Sequence, residues 1–311
     1  MEKLLLSVDT GIDDALAIAS LLAQNVFEPI GITTSYGMAT REKTYRNTRY
    51  ILDLLGSTLP VFMGSGKPFY KTRTYNGNFH GLDGAANLLG EVRGADLNGL
   101  PSVNSAEFLI QSARKYAGEL TLVTTGPLTD LAVALKRAPD LPGNLKKVVV
   151  MGGAVRCRGN SSPWAEANIK ADPHASKMVL SSSLPIVLVG LDVTRQVLLK
   201  QEHIDRWRAL GTPKAEFFSR LLEFYLSEYR RFYPELGGCA LHDPLAVAVA
   251  VNPSLVETEP VCLEVVTEGE REGQLCPAGP RGGGPGNEAA LRVNAEAFQK
   301  EFHRGMLAVL K

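Results

Sequence analysis

The 311 residues are 45% hydrophobic and 21% charged, the composition of an ordinary globular protein. Lys plus Arg and Asp plus Glu number 33 each, so the chain is formally neutral and lacks the basic excess expected of a nucleic-acid binder. It has neither the charged, apolar and cleavage-site regions of a signal peptide nor a run of 18 apolar residues, so neither secretion nor a membrane span is expected.

In chain order, Leu4-Leu5-Leu6 reads as a buried strand, Gly11 as a tight turn, and Asp14 to Leu22 as a helix with apolar periodicity. Residues 29–34 and 60–64 read as further strands, with a helix over 40–56 between them. Residues 64–100 are rich in Gly, Asn and Tyr and predict a long irregular loop of the kind that carries function; His80 lies in it as a candidate ligand contact. Alternation resumes with a helix over 106–116, a strand over 120–124, a helix from Gly126-Pro127 to Leu135, and a strand over 148–151. Residues 157–172 form a second polar loop, with two amides and a carboxylate, Asn160, Asn168 and Glu166, of the types that hydrogen-bond sugar hydroxyls. Asp172-Pro173 opens another helix, with Asp172 as its cap.

A strand follows over 185–189, and 201–232 are expected to be largely helical. That helix carries Phe217, Phe218, Phe224, Tyr225, Tyr229 and Phe232, followed by Tyr233; most of these aromatics should pack in the core and one or two should line a site. Asp243-Pro244 starts an apolar helix, and His242 stands at its mouth. Strands over 260–267 and 289–294, a mobile Gly/Pro-rich loop over 279–286 and a closing amphipathic helix over 295–310 complete the chain. Strand alternating with helix at this spacing predicts an α/β fold with a parallel sheet, in a single domain over 1–311. Cys157, Cys239, Cys262 and Cys276 have no CxxC spacing and read as reduced thiols of a cytoplasmic protein; Cys239 and His242 have a spacing that would admit a nucleophilic pair.

The most informative stretch is Asp9-Thr10-Gly11-Ile12-Asp13-Asp14. Three carboxylates within six residues, at the carboxyl end of a strand, repel one another and call for a positive partner. Ca²⁺, which prefers oxygen ligands, is the most economical one. An acid in the first helical turn can also simply cap the helix. Asp-Thr-Gly has no second copy of the kind an aspartic protease requires, and Ser7 occupies the nucleophile position of the phosphatase pattern.

Five blocks in order resemble the inosine–uridine-preferring nucleoside hydrolases: the stretch from Asp9 to Ala15, Thr125-Gly126-Pro127-Leu128-Thr129, Met151-Gly152-Gly153, the run from Glu166 to Pro173, and His242-Asp243-Pro244. The resemblance implies a doubly wound, mostly parallel sheet flanked by helices. It implies Ca²⁺-dependent hydrolysis of ribonucleosides to ribose and free base, a place in purine or pyrimidine salvage, and a homo-dimer or homo-tetramer. Carried over by position, Asp9, Asp14, Asp243 and the Thr125 carbonyl would hold Ca²⁺. Asp9 would also take a proton from the attacking water. Asp13, Asn160, Glu166 and Asn168 would hold ribose hydroxyls, and His242 would assist the leaving base. The sequence departs from the family pattern at Ser7 and Thr10, where Asp and Pro are usual, and at Met38, where Asn is common. Met38 and the 279–286 loop leave room for a modified nucleoside as substrate, and a non-catalytic ribose- or nucleoside-binding homologue is the reading from another class.

Overall fold

The structure is a computed structural model that describes residues 1–278 and 286–311; the loop expected over 279–286 lies, but for Gly286, outside the described residues. Its strands are β1 (Glu2–Val8), β2 (Phe27–Thr34), β3 (Val61–Met63), β4 (Leu120–Thr124), β5 (Leu145–Met151), β6 (Ile186–Val189), β7 (Leu198–Leu199), β8 (Cys239–Ala240), β9 (Val256–Val261), β10 (Leu263–Val265), β11 (Leu275–Pro277) and β12 (Asn287–Val293). Eight of them form one sheet in the order β3-β2-β1-β4-β5-β6-β12-β9. Every pairing in it is parallel except that of β9 on β12.

Apolar side chains of the central strands alternate between the two faces, as the period of a strand requires. Leu4, Leu6, Val8, Val123, Val149 and Val189 pack on one side with helices Ile12–Leu22, Pro213–Phe232 and His242–Val251. Leu5, Leu120, Leu122, Val148, Val150 and Leu188 pack on the other with helices Ser105–Lys115, Thr129–Arg137 and Pro173–Leu180. The chain runs outward from β1 to β3 and then restarts at β4 on the opposite side of β1. Loops leaving β1 and β4 therefore diverge and open a crevice at the carboxyl ends of the strands, where ligands bind in such sheets.

Three expectations need correction. The helical stretch over 201–232 is two helices, Gln201–Arg208 and Pro213–Phe232, the second capped by the Thr212 side chain. Residues 260–267 do not form one strand: β9 begins at Val256 as the antiparallel edge, and β10 turns away to form a hairpin with β11. The short helix Ala167–Ala171 arises where loop was expected, because Glu166 caps it, and a further turn, Leu191–Thr194, follows β6 after Gly190. The long 64–100 loop is irregular as expected, apart from one 3-10 turn at Gly94–Leu97.

Candidate active site

Asp9 and Thr10 leave the end of β1, and the helix Ile12–Leu22 starts at once, so Asp13 and Asp14 fall in its first turn. Asp14 does cap: its Oδ2 accepts the Gly11 N–H at 2.8 Å. Its other oxygen accepts the Thr125 hydroxyl at 2.6 Å, a bond across the crevice from β4. Asp243 arrives in the first turn of helix His242–Val251. Asp13, Asp14 and Asp243 are all buried and bring carboxylate oxygens within 4.8 Å of one another. Asp9 is not one of that trio, although its charge acts on both Asp14 and Asp243.

Asp9 is held from the side. Its Oδ2 accepts the Met38 N–H at 2.7 Å, and the backbone of Gly37 passes so close that a Cβ there would sit 1.8 Å from the same oxygen. The Arg73 guanidinium, bonded to the Gly37 carbonyl at 2.8 Å, tempers the Asp9 charge. Burial nevertheless pushes the Asp9 carboxyl well above its ordinary range, and the Asp14 charge adds to this. Burial likewise raises Asp13 to about 6, raises Asp14 to about 7 with help from Asp13, and lifts Asp243 well above its usual range. Among the described residues no Lys or Arg forms an ion pair with the trio; His80 Nδ1, 3.9 Å from Asp13, is the nearest basic group.

Four crowded carboxyls, of which only Asp9 feels a nearby guanidinium, form an oxygen-only donor set that fits a hard divalent cation. The departures at positions 7 and 10 do not disturb this set. The Thr10 hydroxyl meets Thr48 at 2.6 Å, and Ser7 faces a small polar cavity with Thr33, Ser105, Thr124 and Asp130 on the other side of the sheet.

His80 reaches the site because its loop is tightly folded. The carboxylate of Asp83 accepts four backbone N–H groups, from Ala85, Asn87, Leu89 and Gly90, at 2.7–2.9 Å. Phe79, Ala86 and Asn87 take left-handed backbone conformations to allow it. His80 Nδ1 then accepts the Ile12 N–H at 3.0 Å, which leaves its proton on Nε2, and burial lowers its pKa to about 4.

The second polar loop supplies the opposite wall. Glu166 caps its helix through Asn168 N–H (2.8 Å) and Ile169 N–H (3.1 Å) and also accepts from Gly153 N–H at 3.0 Å. Asn168 Nδ2 donates to the Thr125 carbonyl at 2.7 Å and to the Met151 carbonyl at 3.2 Å. Asn160 Oδ1 accepts the Ala167 N–H at 2.9 Å. Asp172 is structural, as expected: it caps its helix at Ala175 and accepts from Phe69 N–H and the Thr129 hydroxyl.

His242 sits differently from the simple expectation. Its Nε2 lies 2.8 Å from the Tyr229 hydroxyl and its Nδ1 2.7 Å from Thr194 Oγ1, so both ring nitrogens are engaged. Burial first, then Arg195 and His80, lowers its pKa to about 3. Tyr225 donates to Asp13 Oδ2 at 3.3 Å and packs edge-on against Tyr229. Not one or two but four aromatics of this region, Tyr225, Tyr229, Phe232 and Tyr233, line the cleft. Their i, i+4, i+7 spacing was the available signal. Cys239 is no nucleophile: its thiol, pushed up to about 12 by burial, points to the Leu199 carbonyl.

All ten predicted site residues, Asp9, Asp13, Asp14, His80, Thr125, Asn160, Glu166, Asn168, His242 and Asp243, line one cleft of about 400 Å³. Its floor is carboxylate and amide and its outer wall aromatic. The switch-point cleft of a doubly wound sheet, charged below and aromatic above, has the form of a small-molecule site.

A family model described as inosine-uridine preferring nucleoside hydrolase matches residues 4–300, and the chain belongs to that family. The pyrimidine-specific ribonucleoside hydrolase RihA of Shewanella woodyi is 37% identical over 270 residues, covering 86% of this chain and 85% of the relative. The protein of that name from Escherichia coli O7:K1 is also 37% identical, over 271 residues and the same shares of each chain. A purine-preferring ribonucleoside hydrolase from Gardnerella vaginalis superposes with a TM-score of 0.94 at 36% identity, over 100% of this chain and 99% of that one. The protein is thus an enzyme that hydrolyses ribonucleosides.

Proposed function

We propose that the enzyme is a Ca²⁺-dependent N-ribohydrolase whose whole chain forms one catalytic unit. The observation that carries this reading is the convergence of four buried carboxyls, Asp9, Asp13, Asp14 and Asp243, beneath an aromatic wall. Asp14, Asp243 and the Thr125 carbonyl would hold the cation, with Asp9 or Asp13 completing the set. Once bound, the cation would offset the carboxylates' repulsion, orient the attacking water and lower its pKa.

Asp9 would take the proton from the attacking water; its fixed bond to the Met38 N–H suits a base held in place. Glycosidic cleavage develops positive charge on the ribose, which the carboxylate floor stabilises. Asp13, Glu166, Asn168 and Asn160 bind ribose hydroxyls and disfavour deoxyribose, because a missing hydroxyl leaves a buried polar group unpaired. The base lies against Tyr225, Tyr229 and Phe232. Both nitrogens of His242 are bound within the protein, so His242 acts on the leaving base through the Tyr229 hydroxyl. His80, with its proton on Nε2, is a second donor to the base.

The pyrimidine-specific and purine-preferring relatives are nearly equal in identity, so the test must carry both classes of base. Release of reducing sugar from a panel of purine, pyrimidine and modified ribonucleosides, with Ca²⁺ present, is the experiment. Turnover of at least one is expected, and none on any member would overturn the reading.

A further inference from the structure

The loop 158–163 forms one rim of the cleft, and the residues that fix it there lie outside the five sequence blocks named above. The loop is closed on itself: Ser161 and Ser162 N–H groups both point at the Ala165 carbonyl, at 3.1 and 3.3 Å. A Cβ on Gly159 would come within 2.2 Å of that same oxygen, so only glycine fits. Its attachment to the body of the protein comes from two side chains. Arg195 Nη1 donates to the Arg158 carbonyl at 2.8 Å, and Nη2 donates to the Gly159 carbonyl at 3.1 Å. The Tyr233 hydroxyl donates to the next carbonyl, that of Asn160, at 3.2 Å. The Arg195 guanidinium also lies over the Tyr233 ring, 5.7 Å from its centre.

Three consecutive carbonyls are therefore held by one cation–aromatic pair. Arg195 follows Thr194, whose hydroxyl meets His242, so a single turn anchors both the rim and the histidine. Asn160 Oδ1 is spent on the Ala167 N–H, which leaves its NH₂ group for the cleft it lines.

We propose that Arg195, together with Tyr233, is a positioning residue that clamps residues 158–160 and so aims Asn160 at the ribose; this rests on the ribose-binding reading of Asn160 given above. A guanidinium suits this task because its planar fork meets two successive carbonyls in a fixed geometry, which a compact ammonium holds less well. The clamp touches no reacting atom, so its loss costs substrate binding more than turnover.

The test joins steady-state kinetics to hydrogen exchange of the peptide covering residues 157–166. Arg195→Ala is expected to raise KM for the best nucleoside about tenfold with a smaller fall in kcat, and to speed exchange across that peptide without substrate. Arg195→Lys should fall between wild type and Arg195→Ala, and Tyr233→Phe should give a smaller rise in KM. The double variant Arg195→Ala/Tyr233→Phe should be less than additive, because both act on one loop. Thermal melting within a few degrees of wild type establishes that each variant is folded. Unchanged exchange in Arg195→Ala overturns the clamp, and raised exchange with unchanged KM overturns the positioning role. An unchanged KM in Asn160→Ala beside a raised KM in Arg195→Ala would instead sink the ribose reading of Asn160, which keeps the two failures apart.

Discussion

The Tyr229 hydroxyl lies 2.8 Å from Nε2 of His242, and the opposite ring nitrogen is 2.7 Å from the Thr194 hydroxyl. A buried imidazole held at both ends, with its pKa lowered to about 3, is neutral at physiological pH and cannot swing toward a substrate. Tyr229→Phe and His242→Ala should therefore reduce kcat for a nucleoside by similar factors, about 10²-fold each. Their combination should be little worse than either alone. An activated nitrophenyl riboside, which needs no proton on its leaving group, should lose less than tenfold in the same variants. Equal losses on both substrates would remove the pair from the departure step.

Gly37 offers a test of Asp9 that leaves the carboxylate in place. A methyl group at 37 collides with Asp9 Oδ2 at 1.8 Å, so Gly37→Ala must turn the carboxylate or shift the loop that donates the Met38 N–H. We expect kcat to fall by at least 10²-fold, as a misplacement near 1 Å at a reacting group predicts. Asp9→Ala should remove nearly all turnover. Near-normal rates in either variant, measured on folded protein, would contradict the assignment of Asp9.

Chelation should both stop turnover and lower stability. A cation at 100 times its Kd contributes about 2.7 kcal/mol, which corresponds to a Tm shift of about 5 °C. The effect carries a pH signature. In chelated protein the Asp13 and Asp14 carboxyls stand at about 6 and about 7, above the ordinary carboxylate value of an unfolded chain. The folded state then holds more protons than the unfolded one between about pH 4 and pH 7, so its stability falls as pH rises through that window. Ca²⁺ keeps the pair ionised and should abolish this slope. A chelated protein with full activity and an unchanged melt would refute the cation reading.

A separate pH effect of opposite sign should come from the far side of the molecule. His303 stacks on His203 at 3.9 Å, and burial, aided by His203 and Arg206, lowers its pKa to about 4. The unfolded chain protonates this group near its ordinary value of 6.5, so stability is lost as pH falls from about 6.5 to 4. Neither His303 nitrogen has a hydrogen-bond partner to lose. With the shift roughly halved for partial exposure, the loss is about 2 kcal/mol. His303→Phe, which keeps a ring against His203, should flatten this acid limb, as urea melts at pH 7 and pH 5 would measure.

The chemistry was more legible in the sequence than its wiring. Asp9, Asp13 and Asp14 are fixed by a strand end and a helix start, both readable from local pattern, and Asp243 by its own helix start. Two departures, the cleft aromatics and the path of His80, have a common physical cause in tertiary packing. Whether Tyr225, Tyr229, Phe232 and Tyr233 face the core or the cleft depends on how helix Pro213–Phe232 packs, and that is set by distant segments. The break between Arg208 and Pro213, by contrast, is written locally: Gly211 takes a left-handed conformation past the first helix, Thr212 caps the second and Pro213 opens it. The path of His80 depends on Asp83 collecting four amides in a turn with left-handed residues, which no short motif announces. Glu166 and Asn168 were expected as sugar contacts, yet their visible bonds are to backbone: they build the wall they stand in.

The distance along the chain between Asp14 and Asp243 sets a timetable for biosynthesis. The acids of the first turn emerge early, and the residue that completes their cluster emerges 229 positions later. At roughly 5–20 residues per second that interval is on the order of 10–50 s. Throughout it the nascent sheet can form β1, β2 and β4 but cannot enclose Asp13 and Asp14, which stay hydrated and ionised. Closure of helix His242–Val251 against helix Ile12–Leu22 is therefore the step that dehydrates the acids, and a cation would be captured there, before β12 and the closing helix are added.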